Sequence, residues 1–283
     1  MATLSPLRYP GGKNKTYQYV KYLVQKNNIT TYIEPFAGGA AVALRLLLNG
    51  DVRKIIINDY DRSIFALWHT IKTNHEALIQ LIESTEITID EWLHQKDVQL
   101  NKENEDELPL AFSTLFLNRT NRSGIIKAGV IGGKAQNGKY KLDCRFNKQE
   151  IIRRINNIAE RADCIEVHNM DAQEFITAVI KRTRKSLTFF DPPYYDKGPD
   201  LYTNFYSHEN HVKLANTIKT MMRNRYWILT YDIAEQIERM YDGYKPQKYH
   251  LNYSIAKPTK GQEFIFFSKK VDPGAIELYL KVI

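Results

Sequence analysis

The chain predicts a three-layer α/β fold built on a mainly parallel sheet, and three observations carry that expectation. Short apolar, β-rich runs alternate with helical patterns along most of its 283 residues. These runs stop at acids or at forced turns, as Leu187-Thr188-Phe189-Phe190 does before Asp191-Pro192-Pro193-Tyr194. Between the second and third runs the composition changes, so a core of residues 1–60 and 161–283 is expected to carry an insertion over residues 61–160, largely helical.

The first element is Arg8-Tyr9-Pro10-Gly11-Gly12-Lys13, in which two glycines let backbone approach a ligand beside a lysine. A Walker loop is excluded, because it needs glycine at Leu7 and Ser or Thr at Asn14. Tyr32-Ile33-Glu34-Pro35-Phe36-Ala37-Gly38-Gly39-Ala40, then Val42, Leu44, Leu46, Leu47 and Leu48, predicts strand, small-residue turn and helix. The turn is a poor dinucleotide fingerprint, since its G-x-G-x-x-G positions hold Gly38, Ala40 and Ala43. The next run, Ile55-Ile56-Ile57, ends in Asn58-Asp59, an acid 20 residues after Gly39. At that spacing a carboxylate accepts hydrogen bonds from ribose hydroxyls.

Charge is uneven across the insertion. Residues 83–107 hold nine acids against Lys96 and Lys102, a pattern of solvated helix or loop. Over residues 118–148 the balance reverses: Arg119, Arg122, Lys127, Lys134, Lys139, Lys141, Arg145 and Lys148 face only Asp143. Gly124, Gly129, Gly132, Gly133 and Gly138 interrupt this stretch, which reads as a flexible cationic loop region. Such loops can follow a phosphate backbone and present Arg and Asn side chains to base edges, although a plain solvated loop has the same composition.

Cys164-Ile165-Glu166-Val167-His168 predicts a third strand, and Asn169-Met170-Asp171 leads into a helix over residues 172–181, where Asp171 suits an N-cap as well as a ligand contact. At Asp191-Pro192-Pro193-Tyr194 neither proline can donate a ladder hydrogen bond, so a rigid carboxylate and a rigid aromatic stand at the carboxyl end of a strand. Open α/β sheets bind their ligands at that edge. Lys197 and Tyr202 follow in a polar, aromatic loop placed to close over a substrate. His208-Glu209-Asn210-His211 lacks the i, i+4 histidine spacing of zinc hydrolases and reads as a helix start, so no metal is expected. Trp227-Ile228-Leu229-Thr230-Tyr231 continues the alternation, and residues 249–256 and 263–268 form a carboxyl-terminal β-hairpin with Lys257 and Lys260 at its tip.

The tetrapeptide suits methylation of a planar exocyclic amine, a poor nucleophile whose lone pair is delocalised into the ring. The Asp191 carboxylate and a backbone carbonyl left facing the site by proline can hold both N–H groups, while Tyr194 stacks on the base, a contact worth roughly 1–3 kcal/mol. Average composition would give these four residues in a chain of this length about once in a thousand.

In motif order the chain resembles the Dam-like, D12 class DNA adenine N6-methyltransferases: aromatic-Gly-Gly-Lys, Phe-x-Gly-Gly, a recognition insertion, then Asp-Pro-Pro-Tyr. The resemblance spans nearly the whole length and implies a Rossmann-like, S-adenosylmethionine (SAM)-dependent fold. It makes Asp191, Pro192, Pro193 and Tyr194 catalytic. It gives SAM to Tyr9, Gly11, Gly12, Lys13, Glu34, Phe36, Gly38, Gly39, Asp59, Asp171 and Asp191, with Lys13 on the methionine carboxylate, Asp59 on the ribose and Asp171 near the adenine. The family more often carries tryptophan where Tyr9 stands. Double-stranded DNA is the implied partner, met by Asn118, Arg119, Asn121, Arg122, Lys127, Lys134, Lys139, Lys197, Tyr202, Lys257 and Lys260. A cognate restriction endonuclease is a further partner in keeping with the family.

Composition agrees. A net charge of +8 suits a polyanion. Cys144 and Cys164 have no paired spacing, so neither a disulfide framework nor a zinc site is indicated. With no signal-peptide pattern and no long apolar run, a cytoplasmic protein of a bacterial or phage-infected cell is expected, with no membrane partner. Two other classes fit the residues: an enzyme methylating N4 of cytosine or adenine in RNA, and an inactive nucleic-acid-binding relative. Asp191 in first place argues against cytosine, and intact Lys13, Asp59, Asp191 and Tyr194 argue against loss of activity.

Overall fold

In the computed structural model, which describes residues 3–8, 13–196, 206–253 and 259–283, the apolar runs become β1 (Thr31–Glu34), β2 (Lys54–Asn58), β3 (Ile165–His168), β4 (Ser186–Phe190) and β5 (Tyr226–Asp232). The carboxyl-terminal strands are β6 (Gln247–Tyr253), β7 (Thr259–Phe267) and β8 (Lys281–Val282). They form one sheet in the order β3-β2-β1-β4-β5-β7-β6-β8, parallel from β3 to β5 and antiparallel beyond. The winding runs outward from β1 through β2 to β3 on one side and from β4 to β5 on the other. The order reverses between β1 and β4, and their carboxyl ends form the crevice in which such sheets bind ligands.

The continuous apolar runs follow from burial on both faces. Tyr32, Ile55, Ile57, Leu187, Phe189 and Ile228 enter one layer, whereas Ile33, Ile56, Phe190, Trp227 and Leu229 enter the other. On the first face lie α1 (Tyr17–Lys26), α2 (Ala41–Leu48) and the insertion helices α3 (Arg62–Thr73), α4 (His75–Ser84), α5 (Ile89–Leu100), α6 (Glu107–Thr120) and α7 (Lys148–Ala159). On the second lie α8 (Ala172–Ala178), α9 (His208–Met221) and α10 (Glu235–Met240). Helix starts match their caps: Asp61 accepts from Ser63 N, Thr88 from Glu91 N, Asn147 from Glu150 N, Asp171 from Gln173 N and Ser207 from Asn210 N.

Three expectations change. The helix expected over residues 172–181 ends at Ala178 and gives way to a 3₁₀ turn, Ile180–Arg182. Residues 259–261, expected at the hairpin tip, pair with residues 253–251, so Lys260 lies in β7 opposite Asn252. The cationic stretch is not an open loop. It begins inside α6, whose residues 110–120 are all buried, and folds back so that Asn121 bridges Val130. Gln136 then ties it together, donating to Ile131 O and Gly133 O and accepting from Leu142 N.

Candidate active site

The rigid stop after β4 directs Asp191 into a small buried network. Asp191 Oδ1 accepts from Thr230 Oγ1 at 2.7 Å, on β5, and pairs with Lys13 Nζ at 2.9 Å. Among the described residues its Oδ2 has no hydrogen-bond partner. Lys13, only 5% exposed at its side chain, also donates to the Tyr194 hydroxyl at 2.9 Å and to Glu263 Oε1 at 3.2 Å. Tyr194 OH donates to Glu263 Oε1 and Tyr249 OH to Glu263 Oε2. Burial holds the Asp191 carboxyl above the usual range; the Lys13 ammonium opposes that shift and Glu263 adds to it. The turn beyond is fixed by Asp232 at the end of β5, which accepts from Tyr195 N at 2.8 Å and Asp196 N at 3.0 Å.

Beside it, β1 turns into α2 through two left-handed residues, Gly38 (φ 44°) and Ala40 (φ 45°). The turn is braced from below. Asp59 Oδ2 accepts from Gly38 N at 2.8 Å, Trp68 Nε1 donates to Gly38 O at 2.9 Å, and Ala37 N reaches Asn58 O at 2.9 Å. Gly39 is buried within it. Asp59, partly exposed, is pushed up to about 7 by burial, with Asp61 adding and Lys102 opposing. Glu34 is pushed up to about 8, chiefly by burial; it is 7% exposed and its Oε1 accepts from Ala43 N at 3.2 Å. Glu34 therefore supports the turn from inside the fold.

The Phe36 ring meets Tyr206 edge-on at 5.9 Å between centroids. The Tyr206 hydroxyl faces Asp171 and Asp59, whose charges, after burial, raise it above the ordinary phenol range. Asp171 caps α8 through Oδ1 at 2.9 Å, as its sequence position suggested. His211 is buried with Nδ1 2.8 Å from Tyr231 OH, and burial lowers it to about 4.

Three residues expected to read DNA lie inside the protein instead. Asn118 is 2% exposed and makes three bonds: Oδ1 accepts from Arg8 N at 2.7 Å, and Nδ2 donates to Arg8 O and Gly124 O at 2.8 Å. Arg119, 8% exposed, donates to Pro6 O and is lowered to about 10 by burial and by Arg154 and Arg8. Asn121 is fully buried, accepting from Trp92 Nε1 at 2.6 Å and donating to Ile125 O and Ile126 O. Through these bonds the three side chains pin the amino-terminal segment and the loop, although Arg119 Nε is buried without a hydrogen-bond partner among the described residues. Arg122, Lys127, Lys134 and Lys139 are exposed on the same loop. Tyr9, Gly11, Gly12, Lys197, Tyr202 and Lys257 lie outside the described residues.

Sequence reasoning brought Lys13, Asp191 and Tyr194 together and included Tyr206 in the aromatic loop expected to close over the substrate, but missed Thr230, Glu263 and Asp232. A signal for Glu263 was present: a lone acid opening the apolar run Phe264-Ile265-Phe266-Phe267.

The chain is similar to known type II methyltransferases. The chain is 26% identical over 206 residues to the type II methyltransferase M.MjaIII of Methanocaldococcus jannaschii, covering 66% of this chain and 68% of that protein. It is 24% identical over 229 residues to M1.LlaDCHI of Lactococcus lactis subsp. cremoris, covering 76% and 75%. It is 24% identical over 256 residues to M.CviBI of Paramecium bursaria Chlorella virus NC1A, covering 87% and 90%. Residues 9–255 match the family model described as D12 class N6 adenine-specific DNA methyltransferase. The chain belongs to that family, and it is a site-specific DNA adenine methyltransferase.

Proposed function

We propose that the enzyme methylates N6 of an adenine rotated out of duplex DNA, with Asp191 and Tyr194 as the groups that meet the base. The observation that carries this reading is the Asp191 carboxylate at the carboxyl end of β4, fixed by Lys13 and Thr230 through one oxygen while the other has no hydrogen-bond partner among the described residues. Fold and family imply SAM as methyl donor. The residues beside the catalytic cluster fit it: a left-handed backbone turn at Gly38 and Ala40, the carboxylates of Asp59 and Asp171, and the paired rings of Phe36 and Tyr206. We assign the ribose hydroxyls to Asp59, the adenine to Phe36 and Asp171, and the close backbone approach to Gly38 and Gly39. Lys13 bridges carboxylates inside the network, which supports a role in setting Asp191 beside its expected one toward the methionine carboxylate.

When bound, SAM supplies the activated methyl group. Asp191 accepts an amine N–H and, with the carbonyl of Pro192 or Pro193, localises the lone pair on nitrogen. Tyr194 fixes the plane of the base, whose extrusion costs a few kcal/mol. The amine loses its proton after attack, so no strong base is needed, and catalysis rests on positioning and on the field of Asp191. We assign target recognition to residues 61–160, through Arg122, Lys127, Lys134 and Lys139. Among the described residues no helix is long and apolar enough to cross a membrane.

Mass spectrometry of digested DNA tests the reading. Wild type with SAM should yield N6-methyladenine and Asp191→Ala should yield none. An active Asp191→Ala would overturn the catalytic assignment, and N4-methylcytosine as sole product would overturn the acceptor.

A further inference from the structure

Glu263 is a fully buried carboxylate on β7, directly before the buried run Phe264-Ile265-Phe266. Withdrawing a carboxylate from water costs several kcal/mol unless it is paired, and a well-packed apolar side chain at such a place is often more stabilising. Donors around it offset the cost, among them the Lys13 ammonium at 3.2 Å, the Tyr194 hydroxyl and the Tyr249 hydroxyl. Topology explains how it gets there. Strand β7 runs antiparallel to β5, with Glu263 in register with Asp232, so it reaches the carboxyl edge where the parallel strands end. Across β6 it pairs with Tyr249, one of its donors.

We infer that Glu263 is a positioning residue for methyl transfer: it anchors the Tyr194 hydroxyl and shares the Lys13 ammonium with Asp191, which sets the plane of the aromatic and keeps Asp191 a strong acceptor. The inference rests on the assignment of Asp191 and Tyr194 to the base. One ammonium lies between two carboxylates, 2.9 Å from Asp191 and 3.2 Å from Glu263. Without the Glu263 charge, the Lys13 ammonium would be drawn further toward Asp191 and weaken the hydrogen bond that Asp191 makes to the amine. Tyr194 would lose the anionic acceptor that fixes its ring.

The Glu263 charge also leaves a mark on pH dependence. The groups facing Asp191 are Lys13, Glu263, Tyr194, Tyr231 on β5, and Tyr32 and Glu34 on β1. Lys13 lowers the Asp191 carboxyl and Glu263 raises it. Neutralising Glu263 should therefore shift the acid limb of the transfer rate to lower pH while the rate itself falls.

The test compares wild type, Glu263→Gln and Asp191→Ala in single-turnover methyl transfer across pH, with SAM affinity by calorimetry and base extrusion by 2-aminopurine fluorescence at the target position. Glu263→Gln should bind SAM within about 2-fold of wild type, transfer methyl about 10- to 100-fold more slowly and hold the extruded base less well. A wild-type rate, a loss confined to SAM affinity, or a slower rate with an unmoved acid limb would each overturn the inference. If Glu263→Gln does not fold, Tyr249→Phe decides, because it removes one donor to Glu263 and leaves Lys13 and Tyr194 in place. A several-fold slower transfer at unchanged SAM affinity then supports the positioning role, and a wild-type rate overturns it. An active Asp191→Ala sinks the underlying assignment, whereas an inactive Asp191→Ala beside a fully active Glu263→Gln sinks only the role of Glu263.

Discussion

Asp59 holds the glycine turn through one oxygen and Asp61 N, at 3.0 Å, through the other. Each oxygen keeps a second lone pair, so the carboxylate can brace the turn and accept two ribose hydroxyls. Its value of about 7 in the unliganded fold, against 3.8 in the unfolded chain, has two consequences. Ribose hydroxyls favour the ionised form, so SAM should bind more tightly as pH rises from 6 to 8. Asp59→Asn should flatten that rise and weaken binding about 10-fold or more, as calorimetry would report. For folding the sign is opposite: a raised carboxyl stabilises fully below pH 3.8 and loses that contribution as pH rises through about 7. The stability of Asp59→Asn should therefore depend less on pH than that of wild type over that window. Asp59, Lys13, Asp191 and Tyr194 stood out as candidates because short motifs carry them. Glu263 was not, because its partners stand 14, 69 and 250 residues away.

At the scale of elements, composition located the cationic stretch but not the line between its buried and exposed halves. Asn118, Arg119 and Asn121 have the residue types of a base reader, and helical periodicity alone cannot tell a recognition helix from one buried all round, as α6 is. Gly124 marks the junction. It has φ +76°, and a Cβ there would meet Arg8 O at 2.3 Å. Gly124→Ala should destabilise the protein by about 2 kcal/mol or more, read as a lowered urea midpoint, because both strain and a backbone clash oppose it. Past the junction the exposed bases divide by role. Lys134→Ala should weaken binding to all sequences alike and reduce the slope of log K against log salt by about one unit. Arg122→Ala should relax preference at one base pair by about 1–3 kcal/mol, measured by competition between cognate and single-mismatch duplexes. A wild-type slope and an unchanged preference would remove the loop from the DNA interface.

For the molecule as a whole, a change of composition marked the stretch that holds α3 to α7, but not its bond to the sheet, since that depends on which apolar faces meet. Leu67, Trp68, Phe116 and Ile151 of the insertion share one buried cluster with Tyr32, Ile55 and Leu187 of the sheet. Trp68 also donates to Gly38 O in the glycine turn. At 283 residues the chain is near the size at which single cores stop growing, so a separately melting insertion is the natural alternative. The continuous cluster predicts one cooperative transition instead. The three tryptophans make the test direct: Trp68 and Trp92 report on the insertion and Trp227 on the far face of the sheet. In variants that keep a single tryptophan, urea unfolding followed by fluorescence should coincide with far-UV circular dichroism in the same variant, whichever tryptophan remains. Each variant is its own control, so the destabilisation caused by Trp→Phe does not enter the comparison. Fluorescence of Trp68 or Trp92 that changes at lower urea than the dichroism would mean that the insertion opens on its own, and that bracing of the glycine turn by Trp68 is lost before the sheet unfolds.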